Sequence, residues 1–153
     1  MNTRPILWAP LVALLLVRTT MAAEMVAIAG DDINMRSGPG TGHEIVWKLD
    51  AGFPLEVVGT KGEWLQVRDF EGSSGWIHKK TTQKNAFAIV KVNKGRDEQI
   101  NVRKEPNLTA ADIVAKAGYG VVFKVLEKKD GWVRVEHGRD VTGWVDGRLL
   151  WGL

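Results

Sequence analysis

The sequence predicts an all-β protein: two tandem five-stranded barrels behind an N-terminal export signal. Three observations carry that expectation. The first is internal repetition. "INMRSGPG" (33–40) aligns with "INVRKEPN" (100–107), and "EIVWK" (44–48) with "DIVAK" (112–116). "GFPLEVVGTKGEWLQV" (52–67) aligns with "GVVFKVLEKKDGWVRV" (120–135), and "GWIHKK" (75–80) with "GWVDGR" (143–148). The offset is 67 and becomes 68 after one extra residue near Thr109 to Ala111. The second observation is periodicity: "PLEVV", "EWLQVRD", "VFKVL" and "GWVRVEH" alternate at period two between glycines, and no helical period lasts three turns. The third is size. Each copy has about 60 residues, and a small sheet protects its edges best by closing on itself. A unit of that size buries a modest core and is marginal alone.

Taken in order, residues 1–23 read as a secretory signal: Arg4, the apolar run "ILWAPLVALLLV" (6–17), then "RTTMAA" ending in small residues. Cleavage is expected after Ala23 or Ala22. The apolar run has 12 residues, short of the roughly 20 that span a bilayer. Arg18 closes it, so no lasting membrane anchor is expected. The chain has no cysteine, which excludes disulfides, thiolate metal sites and a lipidated cysteine. The first barrel is expected over 24–82, a linker over 83–85 and the second barrel over 86–153. "TTQKN" (81–85) is short enough that the barrels should touch. Leu55, Val57, Leu65 and Val67 should face inward in the first copy, as should Phe123, Val125, Val133 and Val135 in the second. Trp64 and Trp132 alternate to the opposite face. "GW[IV]" puts Trp76 and Trp144 on the following strand.

Charge narrows the function. Without the signal, nineteen basic residues meet eighteen acidic ones, so the total gives no basic patch and nucleic acid is not an expected partner. The half before Asn85 is net −2 and the half after it +3. That would suit an acidic polymer on the second half, or simply a solvated surface.

The loop "SGPGTG" (37–42) raises the question of a phosphate cradle. It lacks the lysine and hydroxyl residue that such a loop needs, and no helix follows it. Its copy has lost every glycine while keeping Pro39 as Pro106 and Arg36 as Arg103, so it reads as a turn. Catalytic residues are not expected: Ser37, His43 and Asp50 form an imaginable triad, but Lys104 replaces Ser37 in the copy. His43, His78 and His137 lack metal-ligand spacing, so no metal site and no cofactor are expected.

"INMRSGPGT", "IVWKL", "PLEVV", "EWLQVRD" and "GWIH", repeated in order, resemble the bacterial SH3 (SH3b) domain, and more closely the SH3-like exported proteins built from two copies. The resemblance covers residues 25–153. It implies five-stranded SH3-like barrels with an irregular loop between the first two strands. It also implies a periplasmic or wall-facing protein that binds peptidoglycan, its peptide stems or another envelope protein. Signalling SH3 domains hold proline-rich peptides between a Trp and further aromatic walls. The Trp matches Trp64 and Trp132, and the next aromatic matches Trp76 and Trp144. The proline position holds His78 and Asp146, and the final tyrosine position holds Thr81 and Leu149. Polyproline recognition is therefore not expected, and the remaining aromatics are left for another peptide or glycan.

The candidate ligand-binding residues follow. Trp64 and Trp132 either stack on a ligand or cover the barrel. Trp76 and Trp144 read first as core and second as ligand contacts. Trp47, whose counterpart is Ala115, is either a binding aromatic or padding between the barrels, with padding the first reading. Asp31 with Asp32, and Asp97 with Glu98, are solvated loop acids or anchors for the amine of a wall peptide. Trp151 should fold back over apolar surface. The two functional expectations are a non-catalytic wall-binding protein and a protein-interaction module without wall binding.

Overall fold

The computed structural model describes residues 23–108 and 112–153, so the signal reading lies outside the described residues except at Ala23. No α-helix occurs among them. The first sheet holds β1 (Met25–Ile28), β2 (Ile33–Arg36), β3 (Ile45–Leu49), β4 (Pro54–Lys61), β5 (Trp64–Arg68), β6 (Ser74–His78) and β7 (Thr82–Lys84). Its order is β3-β2-β6-β5-β4-β1-β7. The second holds β8 (Phe87–Val90), β9 (Ile100–Arg103), β10 (Ile113–Ala117), β11 (Val122–Lys129), β12 (Trp132–His137), β13 (Val141–Asp146) and β14 (Leu150–Trp151), in the equivalent order β10-β9-β13-β12-β11-β8-β14. A 3-10 turn, Lys79–Thr81 or Gly147–Leu149, precedes each last strand.

Each sheet has seven strands because the segment expected as an irregular loop is itself a hairpin. Met35 faces inward and is fully buried, while β2 pairs with β3 from Ile33↔Leu49 to Arg36↔Ile45. A bulge interrupts that ladder, and the β9–β10 ladder carries one at the matching place. Gln83 and Lys84, read as linker, pair with Ala27 and Val26, so the first sheet continues to Lys84.

Backbone bonds repeat pair by pair. Val57 N–H donates to Glu24 O at 2.8 Å and Val125 N–H to Ala86 O at 2.7 Å. Gly52 N–H donates to Ile28 O at 2.8 Å and Gly120 N–H to Val90 O at 2.9 Å. The turn found in "SGPG" is shared too: Ser37 N–H to Glu44 O and Lys104 N–H to Asp112 O are both 2.9 Å. The repeat thus extends to β1 and β8, but at a shorter offset. Residues 91–99 join β8 to β9, where only residues 29–32 join β1 to β2.

The inward faces are those the alternation predicts. Leu55, Leu65 and Val67 are buried in the first barrel, and Phe123, Val133 and Val135 in the second. Each such side chain contributes about 1.5–3 kcal/mol on removal from water. Val57 and Val125 are partly buried against these cores. The glycine of "GW[IV]" has a packing reason. A Cβ on Gly75 would meet Met35 Cγ at 2.6 Å, and one on Gly143 would meet Arg103 O and Val102 Cγ1 at 2.7 Å. Only glycine lets β6 pass so close to β2, and β13 so close to β9.

The barrels touch. Phe53, Phe70 and Tyr119 form an aromatic row with centroid spacings of 6.1 and 5.3 Å. The Tyr119 hydroxyl donates to Glu71, and Lys94, carried by the longer 91–99 segment, lies 2.9 Å from the same carboxylate. Asn85 Nδ2 donates to Gly152 O at 2.6 Å. A Cβ on Gly52 would meet the Phe87 ring at 2.9 Å, so this positive-φ glycine also seats the second barrel's first residue.

Candidate ligand-binding site

Trp64 opens β5 directly after a two-residue turn, and Trp132 opens β12 the same way. The turns differ. Asp130 and Gly131 both have positive φ (49° and 81°), the type I′ pattern, whereas in the first copy only Gly62 is positive and Glu63 follows it. Each Trp sits opposite the residue that caps the 3-10 turn: Trp64 opposite His78, Trp132 opposite Asp146. His78 Nδ1 accepts from Lys80 N at 3.2 Å, and its ring meets Trp64 edge-on at 5.3 Å. Asp146 instead accepts from Arg148 N and Nε at 3.0 Å. The Arg148 guanidinium beside it holds its carboxyl below the usual carboxylate range.

This difference shapes the surface. Around Trp132 lie two concavities. One, about 450 Å³, is lined by Lys128, Lys129, Gly131, Val133, Arg148 and Leu153. The other, about 230 Å³, is lined by Ile100, Asn101, Arg103, Leu108, Asp146 and Leu149. Trp132 is the wall between them and is half-buried, as is Trp64. An aromatic standing between two grooves can stack on a ligand from either side.

The other expected site residues are not drawn together. Trp76 and Trp144 are half-buried on the outer face of their strands, because the next residues, Ile77 and Val145, take the core. Their core reading is therefore corrected: strand alternation allows one neighbour inside, and the smaller β-branched residue occupies it. Trp47 does not pad the barrel contact. It is 55 % exposed on the edge strand β3, beside Ile45 and Val46. The residue near the contact is Trp151, paired with Ile89 in β14 and lining a concavity with Met25 and Glu56. Asp31 Oδ1 accepts from Ala51 N at 3.1 Å, which ties the β1–β2 connection to the turn before β4, and Asp32 lies 3.7 Å from Lys48 of β3. Asp97 and Glu98 are exposed on the longer segment of the second barrel. Lys128, Lys129, Gly131, Gly147 and Leu153 were missed by sequence reasoning. The available signal was that Gly131 and Gly147 replace Glu63 and Lys79 of the first copy.

The sequence model described as "Bacterial SH3 domain" matches residues 29–84 and 96–152, one match per sheet. This chain belongs to the bacterial SH3 domain family. The SH3b chain is also 26 % identical over 137 residues to YrvJ of Bacillus subtilis (strain 168), a protein named as an N-acetylmuramoyl-L-alanine amidase. That match takes 86 % of this chain but 26 % of YrvJ. Two solved structures from Trichomonas vaginalis also match: NlpC1 (16 % identity, 92 % of this chain and 50 % of that one, TM-score 0.35) and NlpC2 (15 %, 87 % and 49 %, TM-score 0.36). The SH3b chain thus spans about a quarter of the amidase's length and about half of each NlpC chain. Among the described residues no cluster of metal-ligating side chains occurs, and no helix is long and apolar enough to cross a membrane.

Proposed function

We propose that this protein is a non-catalytic, exported binding protein whose two SH3b barrels recognise peptidoglycan peptides outside the cytoplasm. One observation carries the reading: Trp132 stands half-buried between two grooves at the position where SH3-type barrels present an aromatic to an extended ligand. The likeness to about a quarter of YrvJ, a protein named for an amidase of N-acetylmuramoyl-L-alanine bonds, supports the same ligand class. Residues 1–23 act as the export signal in this reading. The test is sedimentation of the purified protein with cell-wall sacculi at low salt. Wild type is expected in the pellet and the Trp64→Ala/Trp132→Ala double variant in the supernatant. Wild type staying soluble would end the wall-binding reading.

A second reading rests on β3. Ile45, Val46 and Trp47 are all exposed on an edge strand, a surface suited to pairing with another protein's strand. There the Trp47→Ala variant would lose a partner and keep its behaviour towards sacculi.

A further inference from the structure

The first sheet ends in two unlike edges. At one end β7 is three residues long and polar, which blunts an edge against stray pairing. At the other end β3 pairs with β2 on its inner side, and no strand among the described residues pairs with its outer side. Glu44, just before β3, and Ile45 to Lys48 are exposed without a break. The three apolar residues between the charges are 49 %, 45 % and 55 % exposed.

The charges select a partner. In "EIVWK" (44–48) opposite signs flank the apolar centre. An antiparallel second β3 centred on Val46 sets each Glu44 opposite a Lys48. It also sets each Ile45 opposite a Trp47, an aromatic–β-branched pair of the kind that stabilises neighbouring strands. A parallel second β3 would set Glu44 on Glu44 and Lys48 on Lys48, and like charges directly opposite are destabilising. Sliding the antiparallel pair by two residues either way sets one of these charges opposite Val46. Lys48 lies 3.7 Å from Asp32, but both side chains are exposed, so that pair holds the ammonium weakly. The bulge leaves Val46 without a β2 partner and twists β3. Two copies share that twist, and a two-stranded ribbon tolerates more of it than a wide sheet.

The edge of the second barrel is less suited. "DIVAK" (112–116) keeps the charges, but Ala115 stands in place of Trp47. Val114 also leans over β13, its Cγ2 only 2.9 Å from where a Cβ on Gly143 would be.

We propose that β3 is a self-recognition strand. It joins two copies of this chain into an isologous dimer, antiparallel about Val46, with Glu44 of each copy facing Lys48 of the other. The inference rests on the reading of β3 as a docking edge and names its partner.

The test is sedimentation equilibrium of the purified protein over a concentration series, which gives the dimer Kd. Glu44→Lys and Lys48→Glu each set like charges opposite one another and should raise Kd by at least about tenfold. The Glu44→Lys/Lys48→Glu double variant restores opposite signs and should dimerise like wild type. Trp47→Ala should raise Kd too, while Asp112→Lys in the second copy should leave it unchanged. Wild type that stays monomeric, or a double variant as weak as the single ones, would overturn self-pairing and leave β3 open to a foreign strand. Equal weakening by Asp112→Lys would overturn it in favour of β3 against β10. A dimer indifferent to both Glu44→Lys and Trp47→Ala would remove β3 as a docking edge, and self-pairing with it.

Discussion

The two barrels share a frame and differ in filling. Where the first packs Leu55, Leu49 and Met35, the second packs Phe123, Ala117 and Val102. One side chain grew while two shrank, so the fold is specified by total volume and inward position rather than by residue identity. Outside the core no such compensation operates. The second barrel gains residues 91–99, Tyr119 and a glycine-opened cleft, with no counterweight in the first. Duplication kept the packed volume and let the connections and turns diverge.

The sharpest way to break this comparison is in the cores. Phe123→Ala should cost about 3–5 kcal/mol and Leu55→Ala about 2–5 kcal/mol, read from urea unfolding. Because Phe123 stands alone among smaller neighbours, its loss should be the greater. A larger loss at Leu55 would contradict the volume exchange.

The next effect concerns the two crossing glycines. Gly75→Ala and Gly143→Ala should each cost about 1–3 kcal/mol through overpacking. Gly143→Ala should be the worse of the two, because its Cβ meets a backbone carbonyl while that of Gly75 meets first the flexible Met35 side chain. Thermal melts of the two variants check the order.

The smallest effect is at the barrel contact, and it depends on pH. Hydrogen bonding from Tyr119, then Lys94, holds the Glu71 carboxyl below its ordinary 4.5. Its contribution is complete above that value and fades as pH falls through the lowered one. Burial, then the bond to Glu71, pushes Tyr119 from 10.0 up to about 12. Its contribution is complete below 10.0 and fades as pH rises through about 12. Small-angle scattering should show the barrels closest between those limits and looser in strong acid or strong base. Tyr119→Phe should reduce the alkaline change and keep the acid one through Lys94. An unchanged alkaline response in Tyr119→Phe would assign it elsewhere.

Much of the fold was legible because the motifs are strand-local. Leu65, Val67, Val133 and Val135 alternate, and all four are buried. The equivalence of β1 and β8 in the repeat was not legible, since "MVAI" and "FAIV" are short apolar runs and the 91–99 segment shifts their offset. Trp47 was misplaced because a lone aromatic does not say which side of an edge strand faces a neighbour. The cleft was invisible for another reason: its walls come from two separate turns and from residues 150–153, and its space comes from glycines, which mark a site by what they leave out.

The contact between the barrels has a consequence in terms of symmetry. It is heterologous: Phe70 and Glu71 of one copy receive Lys94 and Tyr119 of the other. Contacts of that kind normally propagate head to tail into open chains. Here neither copy repeats the partner residues of the contact. In the second copy Gly138 and Arg139 stand where the first has Phe70 and Glu71, so another Lys94 would meet a like charge. In the first copy Ala51 stands where the second has Tyr119, and the short connection 29–32 carries no lysine. The two copies thus complement each other at this contact, and neither carries the matching residues for a second contact of the same kind.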